Sequence, residues 1–356
     1  MSIAIETRRG ASVVTSSVKA GAASPGGRPL VAINGLSVSF DGVKVLHEID
    51  LSVWAGEAVG LVGESGSGKS VTWLAALGLL PKKALTAGRV ELDGENILGA
   101  PARTLDRVRG GRVAMIFQDP ASALNPVLTI RRQLCEALVL HRGLGGAAAK
   151  AEARRLLELV GIPDAGRRLS AYPHEFSGGQ NQRVMIAMAL AGQPDLLIAD
   201  EPTTALDATI QAQILDLIVQ IRRETGMGLV LISHDLGVVA ETCDRVAVMY
   251  AGRIVEEGAA EALFSNPLHP YSEGLIGALP PISGPRRRLT AIPGTVPDPR
   301  HLPHGCSFGP RCDRAEPRCA AVQPPLLFAS ANRRVACPVV HEDSFAGSTE
   351  PMRARA

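Results

Sequence analysis

The chain has 356 residues, 46% hydrophobic and 20% charged, which is more length than one average domain uses and enough apolar content to bury a large core. A net charge of +2, with lysines and arginines dispersed, gives no basic stripe of the kind a nucleic-acid binder displays. No apolar run approaches the roughly 18 residues that span a bilayer, since "VMIAMALAGQP" and "VTWLAALGLLP" both stop well short.

Residues 1–30 carry basic residues with no continuous apolar segment behind them, which argues against a secretory signal and reads as a disordered leader. The protein is accordingly expected in the cytosol, where disulfides are rare. From Val31 to about Gly258, short β-rich runs such as "EAVGLVGES", "GRVAMIFQDP", "PDLLIADEP" and "MGLVLISHD" alternate with helical patterns. Several are almost continuously apolar, as strands buried on both faces of a mainly parallel sheet must be, so the expectation is an α/β core. Residues 121–189 read instead as a helical insertion, with "AKAEARRLLELVGI" apolar at helical spacing. Beyond Asn266, 14 of the 25 prolines fall between Pro267 and Pro338, a density that excludes long helices and central strands. The division expected is a domain over 31–265, a small Pro/Cys-rich appendage over 266–340 and a flexible tail over 341–356.

"GESGSGKS", Gly63 to Ser70, follows the strand "AVGLV" and precedes the helical "VTWLAALGLL", matching G-x-x-x-x-G-K-[ST] in the context that this phosphate-binding loop requires. Its glycines let the chain wrap close to phosphates, with N–H groups and a helix dipole aimed at the anion. The candidate nucleotide-binding residues are Gly63, Glu64, Ser65, Gly66, Ser67, Gly68, Lys69 and Ser70. Lys69 is expected on the β- and γ-phosphates of ATP and Ser70 on Mg²⁺. "DLLIADEP" is an apolar strand ending in Asp200 and Glu201, at the sheet edge where ligands of such folds bind. Asp200 suits the magnesium shell and Glu201 suits deprotonation of an attacking water. Alone, such a pair is more often an ordinary solvated strand end.

Phe176 followed by "SGGQ" and "NQRVMIAMAL" resembles the signature motif of ATP-binding-cassette (ABC) ATPases, and the likeness covers about Val31 to Gly258. That family's fold is implied with it: a P-loop NTPase with a RecA-like core, an antiparallel β subdomain and a helical insertion. The resemblance makes Gln118 in "FQDP" the Q-loop residue and a further magnesium ligand, Asp207 the D-loop residue and His234 the switch histidine. It makes Phe40, 23 residues before Gly63, the aromatic that stacks on adenine, although Phe40 also suits the core. It further implies two cassettes packed head to tail, with Ser177, Gly178, Gly179 and Gln180 closing over ATP held by the partner's loop. Two residues depart from the pattern. Phe176 stands where Leu is commoner, and Asn181 where Arg or Lys is usual, which removes a positive charge near the dimer seam.

The 59 residues from Gln118 to Ser177 leave room for a compact helical subdomain but not for the heptad arms of chromosome-organising relatives. A lone cassette without membrane spans implies a transporter whose spans lie in separate subunits. "FQDPASALNP", "DEPTTALDATIQAQIL" and "NPLHPYSEGL" resemble the cassette subunits of the oligopeptide/dipeptide importers, a family that also takes up nickel, glutathione and sugar-peptides. The implied partners are two transmembrane permeases, a second ABC ATPase that is a paralogue or a copy, and an extracytoplasmic solute-binding protein, with no nucleic acid. The implied place is the cytoplasmic face of a bacterial inner membrane. A groove for the permease is expected near "ASALNPVLTI", and a non-transport ABC ATPase acting on nucleic acid is the alternative function.

Four of the six cysteines follow the pattern Cys306-x5-Cys312-x6-Cys319-x17-Cys337. No short C-x2–4-C knuckle of a structural zinc site occurs, whereas iron–sulfur ligands tolerate looser loops. Some family members resemble this segment and hold a [4Fe–4S] cluster. A cluster, a Zn²⁺ site and metal-free thiols remain the alternatives, with Arg311, Arg314 and Arg318 placed to offset thiolate charge. Cys135 and Cys243 fall in helical apolar patterns and read as packing residues.

Overall fold

The structure is a computed structural model that describes residues 27–119, 123–203, 206–279 and 291–341. The leader up to residue 26 and the tail from 342 lie outside the described residues. One sheet is four-stranded, with β1 (Val31–Phe40), β2 (Val43–Val53), β4 (Leu85–Leu92) and β5 (Glu95–Asn96) in the order β2-β1-β4-β5, antiparallel throughout. The other has eight strands. Five consecutive strands, β9 (Arg245–Tyr250), β3 (Ala58–Val62), β8 (Gly228–Ile232), β7 (Leu196–Asp200) and β6 (Val113–Ile116), are all parallel, with β6 at one edge.

Continuous apolarity in β3, β7 and β8 has a simple cause. Alternate residues of each strand serve different cores: Leu197, Ala199, Leu229 and Leu231 face the cluster that contains the helical block, and Leu196, Ile198, Val230 and Ile232 face the one under the antiparallel sheet. Strands covered on both faces need apolar residues at both parities. The helical block comprises Ile130–Arg142, Gly146–Leu159, Ala165–Arg168 and Gly178–Leu190. Its buried Leu134, Leu138, Ala153, Leu156 and Leu157 recur at helical spacing and join the first cluster.

The Pro-rich segment contributes more to the sheet than its composition suggests. β12 (Arg333–Val335) pairs antiparallel with β10 (Arg253–Ala259), and β11 (Leu327–Ser330) pairs with β12, so the eight-stranded sheet ends on residues from the appendage. The attachment is polar as well as apolar. Buried Glu256 accepts from Arg333 Nε and Nη2 at 3.1 and 2.6 Å and from the N–H groups of Leu268 and His269, each at 2.9 Å. Fully paired in this way, a buried carboxylate avoids the desolvation cost it would carry alone. Tyr250, Tyr271 and Phe308 pack ring to ring, with centroids 4.6 to 5.3 Å apart, and join the core to the cysteine-bearing loop.

Candidate nucleotide site

β3 runs directly into the loop Gly63–Gly68, and the helix Lys69–Ala76 leaves it. A Cβ on Gly63 would lie 2.2 Å from the Met249 carbonyl oxygen, and one on Gly68 would lie 2.5 Å from Leu46 Cδ2. Both residues also have positive φ, 146° and 103°, so conformation and packing each demand glycine. The Gly252 N–H donates to the Ser67 carbonyl at 3.0 Å, which fixes the loop to the turn after β9. Ser65 and Gly66 are exposed, while Ser67 and Lys69 are buried. Lys69 Nζ donates to the carbonyls of Gly63 at 2.8 Å and Glu64 at 2.9 Å. Burial pulls this ammonium below the ordinary lysine value, and the nearby carboxylates of Glu201, Asp200 and Glu64 oppose the shift.

β6, β7 and β8 are neighbours running in parallel, so the residues beyond their carboxyl ends form one row. Gln118, Glu201 and His234 occupy that row. Gln118 Nε2 donates to Glu201 Oε2 at 2.9 Å, and His234 Nδ1 lies 3.5 Å from the same oxygen. Glu201 has φ 47°, in the left-handed region, and its N–H donates to the Ile232 carbonyl at 2.9 Å. Such a conformation costs about 1–3 kcal/mol for a non-glycine residue and persists only where the surroundings enforce it. Asp200, the last residue of β7, is buried; burial raises its pKa, and a hydrogen bond with the Ser70 side chain lowers it again. Two hard oxygens, one carboxylate and one hydroxyl, therefore meet beside the loop, a donor pair that suits magnesium. Gln118, expected on the metal as well, has its amide nitrogen on Glu201.

Phe40 ends β1 next to the Asp41–Gly42 turn and is partly buried against the core under the antiparallel sheet. Ser177 caps the helix Gly178–Leu190: its Oγ accepts from the Gln180 N–H at 3.3 Å, and Gln180 Oε1 accepts from the Ser177 N–H at 3.1 Å. Ser177 and Gly178 are exposed, leaving this helix start open to a ligand. Asn181 Nδ2 donates to the Pro173 carbonyl at 3.0 Å, bracing the turn that carries the signature. Phe176 is buried beneath the Arg168 guanidinium, 5.0 Å from its ring centroid. Asp207 caps the helix Ala208–Thr225, its Oδ1 accepting from the Ile210 N–H at 3.0 Å.

The four appendage cysteines are not drawn into a metal site. Among the described residues, no group of three or more His, Cys, Asp or Glu could hold a metal ion, so the expected cluster and the zinc alternative find no support in this arrangement. Burial pushes the Cys306 thiol up to about 11 and raises Cys312 and Cys337, favouring the protonated thiol over the ligating thiolate. The three arginines are also placed differently from expectation. Arg311 pairs with Glu64 and Arg314 with Glu273, and only Arg318 works against the raised pKa of Cys337. Cys243 is buried as expected, whereas Cys135 also lines an open groove at the start of the helical block.

No sequence signal pointed to two residues that reach the phosphate loop. Arg311 Nη1 and Nη2 lie 2.9 and 3.3 Å from the two carboxylate oxygens of Glu64, and the Tyr271 hydroxyl accepts from the Glu64 N–H at 2.8 Å. They are 247 and 207 residues away along the chain.

Residues 46–204 match the family model for the ABC transporter, and residues 255–319 match that for the oligopeptide/dipeptide transporter C-terminal region. A putative peptide import ATP-binding protein of Brucella abortus is 49% identical over 87% of this chain and 95% of its own length. The oligopeptide transport ATP-binding protein OppD of Salmonella typhimurium is 47% identical over 86% and 93%, and AppD of Bacillus subtilis 44% identical over 88% and 98%. Among solved structures, a dimeric ATP-binding cassette in a post-hydrolysis state with ADP and Pi has a TM-score of 0.58 at 28% identity, covering 65% of this chain and 98% of that one. CbiO1 of Clostridium perfringens, part of an ABC transporter complex, has a TM-score of 0.59 at 27% identity, covering 67% and 91%.

Proposed function

This chain belongs to the family of ATP-binding subunits of oligopeptide/dipeptide ABC transporters, and from that premise we propose that it hydrolyses ATP to power import of di- and oligopeptides. The observation that carries the reading is Glu201 Oε2, bonded by Gln118 at 2.9 Å and faced by His234 at 3.5 Å, one residue beyond the Asp200 that meets Ser70. In that position Glu201 takes the proton of the attacking water, while Gln118 and His234 hold the carboxylate in line. The loop N–H groups, the start of helix Lys69–Ala76 and the Lys69 ammonium receive the phosphates. Ser70 and Asp200 would hold magnesium, which supplies neutralisation of the phosphate charge. Phe40, the last residue of β1, takes the adenine.

The exposed helix start at Ser177, Gly178 and Gly179 closes over ATP bound to a second cassette, a paralogue or a copy, with Gln180 holding the cap and Asp207 at the seam. Two permease subunits supply the membrane path, and a solute-binding protein delivers the peptide. A groove of about 490 Å³ lined by Val127, Thr129, Arg132, Cys135, Lys150 and Tyr172 receives the cytoplasmic end of a permease; Val127 is 76% exposed there. Among the described residues no helix is long and apolar enough to cross a membrane, and the subunit sits on the cytoplasmic face through this contact.

The test is reconstitution with both permeases and the binding protein in proteoliposomes. Peptide is expected to stimulate ATP hydrolysis and to accumulate inside, and Lys69→Ala to abolish both. Hydrolysis that responds to nickel, glutathione or a sugar-peptide but to no peptide would overturn the substrate assignment. We also propose, from the donor chemistry alone, that Cys306, Cys312, Cys319 and Cys337 hold a [4Fe–4S] cluster. The support is limited to donor type: backbone N–H groups facing Cys306, Cys312 and Cys337 offset part of the burial that holds the metal-free thiols protonated, and cluster assembly has to draw the four sulfurs together. Stoichiometric iron and sulfide are expected after anaerobic purification, and zinc or no metal would remove the cluster.

A further inference from the structure

We infer that Arg311 and Tyr271 are positioning residues for the phosphate loop, acting through Glu64; the inference rests on the reading of that loop as the ATP site. Every hydrogen-bonding group of Glu64 is engaged. Its N–H donates to the Tyr271 hydroxyl at 2.8 Å, its carbonyl accepts from Lys69 Nζ at 2.9 Å, and its carboxylate takes both arms of Arg311 at 2.9 and 3.3 Å. Two of these three partners come from beyond residue 270, and the third is the lysine that meets the phosphates.

Both positioning residues are themselves held. The Arg311 side chain is 6% exposed. Its Nε donates to the Pro293 carbonyl at 2.7 Å, and its guanidinium lies 5.7 and 5.9 Å from the ring centroids of Tyr250 and Phe308. Tyr271 is fully buried, with its ring centroid 4.6 Å from that of Tyr250. The exposed tip of the loop, Ser65 and Gly66, has little side-chain packing and much backbone freedom to lose when it closes on an anion. An anchored Glu64 removes part of that loss before ATP arrives and fixes the carbonyl against which Lys69 is aimed. A forked guanidinium–carboxylate pair resists rotation as a single charge contact does not.

The experiment uses the whole chain, a fluorescent ATP analogue for Kd and steady-state hydrolysis for KM and kcat. Arg311→Ala and Glu64→Ala are each expected to raise Kd and KM about tenfold with kcat within about twofold, because loop preorganisation contributes equally to bound and transition states. Arg311→Lys keeps the charge without the fork, and Tyr271→Phe removes one acceptor; each is expected to raise Kd about threefold. The double variant Glu64→Ala with Arg311→Ala is expected to bind no more weakly than the weaker single variant. If Arg311→Ala does not fold, Glu64→Ala and Tyr271→Phe, which lie outside the cysteine loop, decide the matter. Wild-type Kd in the variants, additive losses, or a fall in kcat as large as the rise in KM overturns the positioning role. Lys69→Ala separates the two readings: if it binds the analogue as well as the wild type does, the ATP assignment of the loop itself fails.

Discussion

Gln118, Glu201 and His234 are scattered over more than a hundred residues yet converge on one carboxylate oxygen, whereas Cys306, Cys312, Cys319 and Cys337 are near neighbours in sequence and form no group that could hold a metal ion. The difference lies in what carries them. Three adjacent parallel strands end in a common row, so any side chain one or two residues past a strand end meets its counterparts. Cys306, Cys312 and Cys337 sit on turns whose own N–H groups face the sulfur, and Cys319 sits in the short helix Pro317–Ala321, its sulfur accepting from the Glu316 N–H. Sheet order, rather than spacing along the chain, determines which groups react together.

The row of strand ends is most sensitive at Glu201. Glu201→Gln is expected to lower steady-state phosphate release about 10²- to 10⁴-fold with ATP still bound; loss of binding instead would mean that the row of strand ends holds nucleotide rather than activating water. The next largest effect is expected at Gly63, where Gly63→Ala forces a methyl to within 2.2 Å of the Met249 carbonyl at a φ of 146°. A loss of about 3 kcal/mol in chemical denaturation, with ATP binding gone, is expected. Wild-type stability would show that the loop has more freedom than its contacts indicate.

On the appendage side, His269 provides a pH signature. It is buried, its Nδ1 accepts from the Tyr271 N–H at 3.0 Å, and burial lowers its pKa from 6.5 to about 4. Between those values the unfolded chain takes up a proton that the folded chain refuses. The contribution is therefore fully present above about pH 6.5 and falls with pH until about 4, by about 3 kcal/mol in all. Denaturation at pH 7 and pH 4.5 checks this, since His269→Gln is expected to flatten the fall; an unchanged slope would assign it to other groups. The smallest effect is expected at Cys319, where Cys319→Ala removes a buried sulfur and costs about 1 kcal/mol in a metal-free preparation.

The loop Gly63–Ser70 and the signature helix are legible because each is contiguous and carries its own glycines, and the signature helix its own capping serine. The buried strands were legible because two-sided burial leaves a run such as "LLIAD" with no polar alternation. Arg311 was misread. Its position beside Cys312 suggested thiolate neutralisation, and its actual partner, Glu64, is 247 residues away, a distance no local pattern encodes. β12 was missed for a related reason. Arg333–Val335 is too short to show periodicity, and it becomes a strand only because β10 presents an open edge and Glu256 waits for Arg333.

That late-joining edge bears on how the protein is made. The Glu256–Arg333 pair closes over 77 residues and the Glu64–Arg311 pair over 247, so both wait until nearly the whole chain has left the ribosome. The parallel strands and the glycine loop can assemble well before that. A nascent cassette therefore passes through a stage with its central sheet formed, the edge of β10 uncovered and Glu64 still free of its clamp. A chain truncated before Arg311 stays in that stage, exposed to strand addition at β10 and without the full grip on nucleotide.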